Sequence, residues 1–248
     1  MSVTNRLPDV RTNSSSLVTE TTSLDIQITL PGVKAGIVEA ANVHVRSCDA
    51  PLATEIGDVC THLRSLCSVD SLPHAEQIRE VRKMFRAWGG DPSRYRPSSE
   101  ALIRRVLKGE AFPRVSNIVD IANLCAIEMG WPYGCYDYGK LSGPIEIRRG
   151  KANEQYDGIG RPLFRLEDRP VFADAHGPFG SPVSDSRRTM VTGSTRELFA
   201  IICAPASSCD SVLEEAISRL VKRLVLWCGA NGVQTRIVGP ASIRLAPF

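Results

Sequence analysis

Most of the short motifs that mark a catalytic mechanism are absent from this sequence of 248 residues. It has no GxSxG nucleophile elbow, no GxxxxGK[ST] phosphate loop and no GxGxxG dinucleotide fingerprint. The glycines at 158 and 160 lack the third member of that fingerprint, so we interpret them as part of a turn. These absences argue against the serine hydrolases, P-loop NTPases and dinucleotide enzymes that carry such motifs.

Long apolar runs are missing too. No stretch reaches the ~18 apolar residues that a membrane-spanning helix needs, and the N-terminus has no apolar signal core. We therefore expect neither a membrane association nor secretion. Residues 1–23 are rich in Ser, Thr and Asn, a composition that predicts a disordered polar tail.

Metal and disulfide patterns are also absent. The eight cysteines contain no CxxC pair, and the four histidines are scattered without an HExxH motif. We expect free thiols in the cytoplasm, mostly buried and inert, with no metal and no bound cofactor. No histidine lies beside a cysteine in a way that identifies a nucleophile.

Helical and strand-like segments alternate irregularly, which favours an α+β fold over a doubly wound parallel sheet. Apolar spacing predicts helices over residues 73–88, 98–108 and 117–129. A capping box at 211–214 predicts the start of a last, strongly amphipathic helix. Strand-like segments lie at 26–30, 36–46, 145–149, 171–173, 199–204 and 233–238.

One segment is strongly basic. Between Arg79 and Arg114 there are ten basic residues and four acidic ones, although the whole chain has a net charge of only +3. Such a segment attracts phosphate through counterion release, and Tyr95 can stack on a base. A solvated helical face, with Tyr95 anchoring a loop, explains the pattern equally well. The candidate RNA-binding residues are Arg94, Tyr95, Arg96, Arg104, Arg105 and Lys108.

Four blocks, at residues 88–105, 113–123, 132–137 and 174–189, together resemble the stand-alone B3/B4 (B3/4) domain proteins. These are relatives of the editing domain of the phenylalanyl-tRNA synthetase beta subunit. The resemblance implies a B3/4-like α+β fold of mixed or antiparallel β-sheet with packed helices. Within it we expect an N-terminal α/β part at 24–110 and a core editing-like part at 111–248.

The resemblance also implies a function. The synthetase domain hydrolyses the ester that links tyrosine to the phenylalanine tRNA, so a stand-alone copy is expected to clear mischarged aminoacyl-tRNA in trans. Its partner is then tRNA, and no obligate protein partner is inferred. An aminoacyl ester is already activated, so positioned water can serve as the nucleophile. A non-catalytic tRNA-binding or RNA-binding module is the alternative, and an amino-acid-binding or metabolite-binding protein is a third.

The sequence departs from the synthetase pattern at two places. Asn123 matches an asparagine of the synthetase domain, but a histidine eleven residues later is replaced by Gly134. The glutamate that recognises the tyrosine hydroxyl has no counterpart in the apolar segment 199–204. Because this buried partner is missing, we do not expect specificity for tyrosine.

The candidate site residues come mainly from the third and fourth blocks and from the predicted helix at 117–129. The expected catalytic residues are Asn123, Asp174, Asp185, Ser186 and Arg188. The expected substrate-pocket residues are Asp120, Gly134, Asp137, Gly177, Ser184 and Thr189.

Structural roles explain several of these candidates equally well. Asn117 can cap a helix whose positive first turn favours Asp120. Asp185 can pair with Arg188 to hold a loop. The segment around Gly177 can be a plain turn.

Overall fold

A computed structural model describes residues 23–240 of the chain. Apart from Ser23, the predicted polar tail lies outside the described residues. Five α-helices are present in this part, with two single-turn 3-10 helices. The α-helices are α1 Ala50–Leu66, α2 Glu76–Ala87, α3 Ser98–Leu107, α4 Asn117–Met129 and α5 Asp210–Cys228. None of them is long and apolar enough to cross a membrane.

The ten strands of the described part form two four-stranded sheets and one hairpin. The first sheet has the order β10-β2-β9-β3 and is antiparallel throughout. The second has the order β1-β4-β7-β8, in which only β1 and β4 are parallel. Strands β5 and β6 form the hairpin, and Gly158 of β5 also makes an isolated β-bridge to Ser186. The strands are β1 Ile26–Ile28, β2 Val33–Ala41, β3 Tyr133–Asp137, β4 Ile145–Arg149, β5 Gln155–Gly158, β6 Arg161–Arg165, β7 Pro170–Asp174, β8 Gly177–Gly180, β9 Leu198–Pro205 and β10 Asn231–Val238.

The first sheet lies between helices α4 and α5 on one face and the second sheet on the other. In β3 the side chains alternate: Tyr133 reaches the carbonyl oxygen of Ala216 in α5, whereas Tyr136 packs against Phe172 and Phe179 of the second sheet. Gly36 permits the close approach of α5, since a Cβ there would lie 2.9 Å from Leu213. The predicted α+β fold of mixed and antiparallel sheets with packed helices is confirmed.

Helix α4 has the predicted bounds. Its N-cap is Ser116, whose hydroxyl accepts a hydrogen bond from the Val119 amide. At its other end Gly130 adopts the left-handed conformation with φ +70°. The proposed cap at Asn117 is wrong: this buried amide accepts from the backbone N–H of Arg46 and donates to the carbonyl of His44.

Three other local predictions need correction. Helix α5 begins at Asp210 after Cys209, with no side-chain capping bond, so the predicted capping box does not form. Strand β2 starts at Val33 and ends at Ala41, earlier than predicted, because Asn42 with φ +55° turns the chain. Helix α2 starts at Glu76 after a separate single turn. Helix α1 was not predicted, nor were β3, β5, β6 and β8.

Candidate functional site

A buried phenol and a carboxyl group meet between the two sheets. The hydroxyl of Tyr136 donates a hydrogen bond of 2.6 Å to Oδ1 of Asp185, which lies in the loop after β8. The Tyr136 ring is fully buried and stands edge-on to Phe179, with 4.8 Å between the ring centroids. This pair links the first sheet to the loop that carries five of the predicted catalytic and pocket residues.

Two glycines make room for this pair. A Cβ atom on Gly134 would lie 2.2 Å from the Tyr136 hydroxyl oxygen, and one on Gly180 would lie 2.3 Å from it. The Gly180 position would also place a Cβ 2.8 Å from Oδ1 of Asp185. The space beside Gly134, which the sequence assigned to a substrate pocket, is therefore occupied by the protein's own phenol.

The surroundings of Asp185 change its acidity. Burial raises the pKa of the Asp185 carboxyl to about 7, although hydrogen bonds from Tyr136 and from the backbone of Ser181 act to lower it. At neutral pH the group is thus divided between its acid and its carboxylate form. The alternative pairing of Asp185 with Arg188 is wrong, because Arg188 pairs with a different carboxylate.

That carboxylate is Asp174, at the end of β7. Arg188 donates to both of its oxygens, at 2.8 and 3.1 Å, and also to the carbonyl oxygens of Lys140 and Gly177. The Asp174 carboxylate further accepts from the backbone N–H of His176 at 2.9 Å. Three predicted site residues (Asp174, Gly177 and Arg188) are thus brought together as a clamp on the β7–β8 turn.

The hydroxyl groups of the predicted site residues bond within the loop after β8, which carries Asp185. The Ser186 hydroxyl accepts from the backbone N–H of Arg188 at 3.1 Å, and that of Thr189 donates to the carbonyl of Phe179 at 3.3 Å. The carbonyl of Ser184 accepts from the hydroxyl of Tyr156. These residues lie around Asp185 and position it.

Asp120 and Asn123 lie elsewhere. Helix α4 packs on the face of the first sheet to which Tyr133 points, whereas Asp185 lies at the other face. Asn123 is half-buried on that helix. Asp120 accepts from the Val115 amide at 2.8 Å, and its second oxygen pairs with Arg114 at 3.2 Å. Burial raises the pKa of Asp120 despite these partners.

The carboxylate of Asp137 is likewise held by neighbouring side chains. It accepts a hydrogen bond of 2.7 Å from the Thr195 hydroxyl and pairs with Lys140 at 3.5 Å. The structure therefore gathers Asp174, Gly177, Ser184, Asp185, Ser186, Arg188 and Thr189 in one region with Gly134. It separates them from Asp120 and Asn123.

The sequence profile of the B3/4 domain matches residues 80–223, which include Tyr136, Asp185 and Arg188. The chain belongs to the B3/4 domain family.

Curated relatives of this B3/4 protein include two phenylalanine–tRNA ligase beta subunits. The Zymomonas mobilis subunit is 30% identical over 110 residues, which are 44% of this chain and 14% of that subunit. The Mycoplasma genitalium subunit is 27% identical over 131 residues, 52% of this chain and 15% of the other. The matched part of the chain thus spans about a seventh of the length of these relatives.

Among solved structures, an N-terminal fragment of the phenylalanyl-tRNA synthetase beta subunit from Pyrococcus horikoshii is similar with a TM-score of 0.40 and 14% identity. That similarity covers 86% of this chain and 50% of the fragment.

The basic segment of this B3/4 protein is partly neutralised. Glu100 is buried and holds the guanidinium groups of Arg82 and Arg104 at 2.7 to 2.9 Å, with Arg96 at 3.6 Å. Burial acts to raise the pKa of Glu100, but these arginines outweigh it and the pKa is lowered. Arg96 and Arg104 therefore stabilise the fold in addition to any contact with phosphate.

The outer part of the predicted RNA surface is more open. Arg94, Arg105 and Lys108 are exposed, although Arg105 bonds to the carbonyl of Ala111 and lies 3.7 Å from Glu110. These side chains remain available to a polyanion at the surface.

Tyr95 is at the centre of a second arginine group that sequence reasoning missed. The Arg169 guanidinium lies 3.8 Å from the centre of the Tyr95 ring and donates to the Tyr95 hydroxyl at 2.6 Å. Arg94 lies 5.3 Å from the same ring. Arg149, the last residue of β4, lies close to Gly89 in the loop after α2. Nothing in the local sequence connects Arg169 to Tyr95, since only the fold brings them together.

Proposed function

We propose that this B3/4 protein binds tRNA and hydrolyses the ester bond of mischarged aminoacyl-tRNA in trans. The observation that carries the proposal is the Asp185 carboxyl, which lies within the B3/4-matched residues, accepts a hydrogen bond of 2.6 Å from Tyr136 and has a pKa raised by burial to about 7. A general base works best when its pKa is close to the operating pH. An ordinary exposed aspartate ionises too readily to hold a proton at pH 7.

The proposed chemistry needs no protein nucleophile. The Asp185 carboxylate removes a proton from a water molecule as the water oxygen attacks the ester carbonyl carbon. The resulting tetrahedral species expels the ribose oxygen, and the proton held by Asp185 passes to it. The products are a free amino acid and an uncharged tRNA.

The arginine-rich surface supports an RNA partner. Arg94, Tyr95 and Arg169 combine positive charge with an aromatic ring, the two features that bind a nucleic-acid strand without base specificity. The relatives named as tRNA ligase subunits make tRNA the RNA of choice. We place the activity in the cytoplasm, a reducing compartment that suits eight free thiols.

A non-catalytic tRNA-binding module is the second candidate. It is favoured by the Tyr136 hydroxyl, which fills the space beside Gly134 and engages Oδ1 of Asp185. Substrate hydrolysis requires that the second carboxylate oxygen of Asp185 reach water while this contact persists, or that Tyr136 move.

Deacylation of a panel of correctly and incorrectly charged tRNAs separates the two candidates. We expect wild type to release one mischarged amino acid and Asp185→Asn to lose that activity, because the amide cannot take the proton. Asp58→Asn is the matched control, since Asp58 is an exposed carboxylate on α1, away from the β5–β6 hairpin. No turnover of any charged tRNA, together with salt-sensitive tRNA binding, would leave only the binding module.

Asn123, the candidate catalytic residue on α4, is tested in the same assay. Asn123→Ala is expected to retain activity if the site is confined to the Asp185 side of the sheet. Loss of activity in Asn123→Ala with wild-type stability would instead move the proposed site toward α4.

A further inference from the structure

The β5–β6 hairpin is attached to the loop of Asp185. The backbone N–H of Ile159 donates to the carbonyl of Asp185 at 2.9 Å, and that of Arg187 donates to the carbonyl of Asp157 at 2.9 Å. Gly158 and Ser186 form a β-bridge between these two bonds. The hairpin tip therefore has a fixed position beside the carboxyl group of the proposed site.

Two large apolar side chains of the tip are exposed to solvent. Ile159 is 49% exposed and Leu163 is 56% exposed. Leu163 also has a φ of +58°, in the left-handed region that a branched, bulky residue rarely adopts. A leucine that is largely exposed and has a strained backbone conformation is unusual, and such strain is concentrated at binding sites.

Strand β6 also has positive charges without acidic partners in the described part of the chain. Arg161 and Arg165 are exposed, and among residues 23–240 no carboxylate lies within ion-pair distance of either one. Asp157, the acidic residue of the tip, is neutralised by Arg187 at 3.4 Å. The tip thus presents cations and apolar groups together, a combination that complements phosphates and the faces of unpaired bases.

The hairpin also connects the two parts of the proposed site. At its base, the Arg169 guanidinium lies 3.8 Å from the centre of the Tyr95 ring and 5.3 Å from that of Phe164. Phe164 stacks on Tyr156 with 5.6 Å between centroids. The Tyr156 hydroxyl then bonds to the carbonyl of Ser184, the residue before Asp185.

We infer that the exposed face of the β5–β6 hairpin, defined by Ile159, Arg161, Leu163 and Arg165, binds the single-stranded end of an RNA. This inference rests on the proposed function and names the path of the substrate. A strand bound at Tyr95 and presenting its terminal ester to Asp185 passes along this face. β6 spans about 13 Å, a distance suited to a short single-stranded segment.

The test is binding of a short single-stranded oligoribonucleotide to the full chain at several salt concentrations. We expect the double variant Arg161→Ala/Arg165→Ala to lose about tenfold in affinity and to reduce the salt slope by about 1.4, since each phosphate contact on a single strand contributes about 0.7. Lys222→Ala is the control for loss of an exposed cation, because Lys222 lies on α5, across the first sheet from the hairpin.

Leu163→Gly separates a ligand-facing role from a structural one. Glycine accepts φ +58° without strain, so the melting temperature is expected to stay equal or rise. RNA affinity is expected to fall about fivefold, since an apolar contact with a base is lost. A lower melting temperature with unchanged affinity would show that Leu163 serves the fold and would overturn its assigned role.

The remaining outcomes are also decisive. Wild-type affinity and salt slope in the arginine double variant overturn the hairpin path, as does an equal loss in Lys222→Ala. Either of these results leaves the proposed function standing, provided that wild type binds tRNA and Asp185→Asn abolishes deacylation. If wild type binds neither tRNA nor the single strand, the proposed function fails and the inference fails with it.

Discussion

Replacing Asp185 by asparagine is expected to stabilise this protein at neutral and alkaline pH. The folded-state pKa of Asp185 is raised from 3.8 to about 7, so folding disfavours its ionised form. Below about pH 4 both the folded and the unfolded chain carry the neutral acid, and the difference vanishes. Between pH 4 and pH 7 the unfolded chain ionises first, so wild-type stability falls as pH rises.

The magnitude follows from the shift in pKa. One pKa unit corresponds to about 1.36 kcal/mol, so a rise from 3.8 to about 7 corresponds to roughly 4 kcal/mol of stability lost by pH 8. Asparagine is neutral throughout and can still accept the hydrogen bond from Tyr136. The difference in unfolding free energy between Asp185→Asn and wild type is therefore expected to grow by roughly 4 kcal/mol from pH 4 to pH 8.

The assay is urea denaturation of both proteins at a series of pH values, followed by circular dichroism. Comparing the two cancels the other titrating groups, whose pKa values are common to both. Asp58→Asn serves again as control, because Asp58 is exposed and its substitution removes a carboxylate that is not buried. Parallel stability curves for wild type and Asp185→Asn would refute the reasoning, since they require an unshifted pKa at this position.

Three further perturbations follow from the packing. Gly134→Ala is expected to lower the free energy of unfolding by roughly 1 to 3 kcal/mol in urea denaturation, because its Cβ would lie 2.2 Å from the Tyr136 hydroxyl. Gly57→Ala is the control and should not destabilise the protein, since its Cβ would have nothing within 4 Å. Glu100→Gln is expected to lower stability at pH 7 by about 3 kcal/mol, since its arginine partners lose their buried counter-charge. That loss should shrink below pH 4.5, where the unfolded glutamate becomes protonated; a pH-independent loss would contradict the ion-pair account. Ser116→Ala is expected to cost about 1 kcal/mol through the lost N-cap of α4, and an unchanged melting temperature would show that the cap contributes nothing.

Local sequence signals predicted some elements well. Helix α4 matched its predicted bounds because its apolar positions are continuous and Gly130 permits a left-handed end. Helix α1 escaped prediction, although Asp49 caps it and Leu52, Ile56 and Cys60 are buried at helical spacing. Its apolar positions are few and interrupted by polar residues, so their spacing does not identify a helix without the surfaces against which it packs.

The resemblance of four ordered blocks located the region of the candidate site without giving its contacts. The fourth block contains both Asp174 and Asp185, and the sequence alone allows Arg188 to pair with either. The fold selects Asp174, because the β7–β8 turn places both of its oxygens in front of the guanidinium.

What the sequence determined by itself is the family, the fold class and the basic character of residues 79–114, since each is a property of local pattern and composition. The tertiary structure alone decided the partner and the acidity of Asp185. Tyr136 lies 49 residues from Asp185, in the first sheet, and Arg169 lies 74 residues from Tyr95. The pKa of a carboxyl depends on how much water the surrounding elements exclude, and that exclusion exists only once distant segments have packed together.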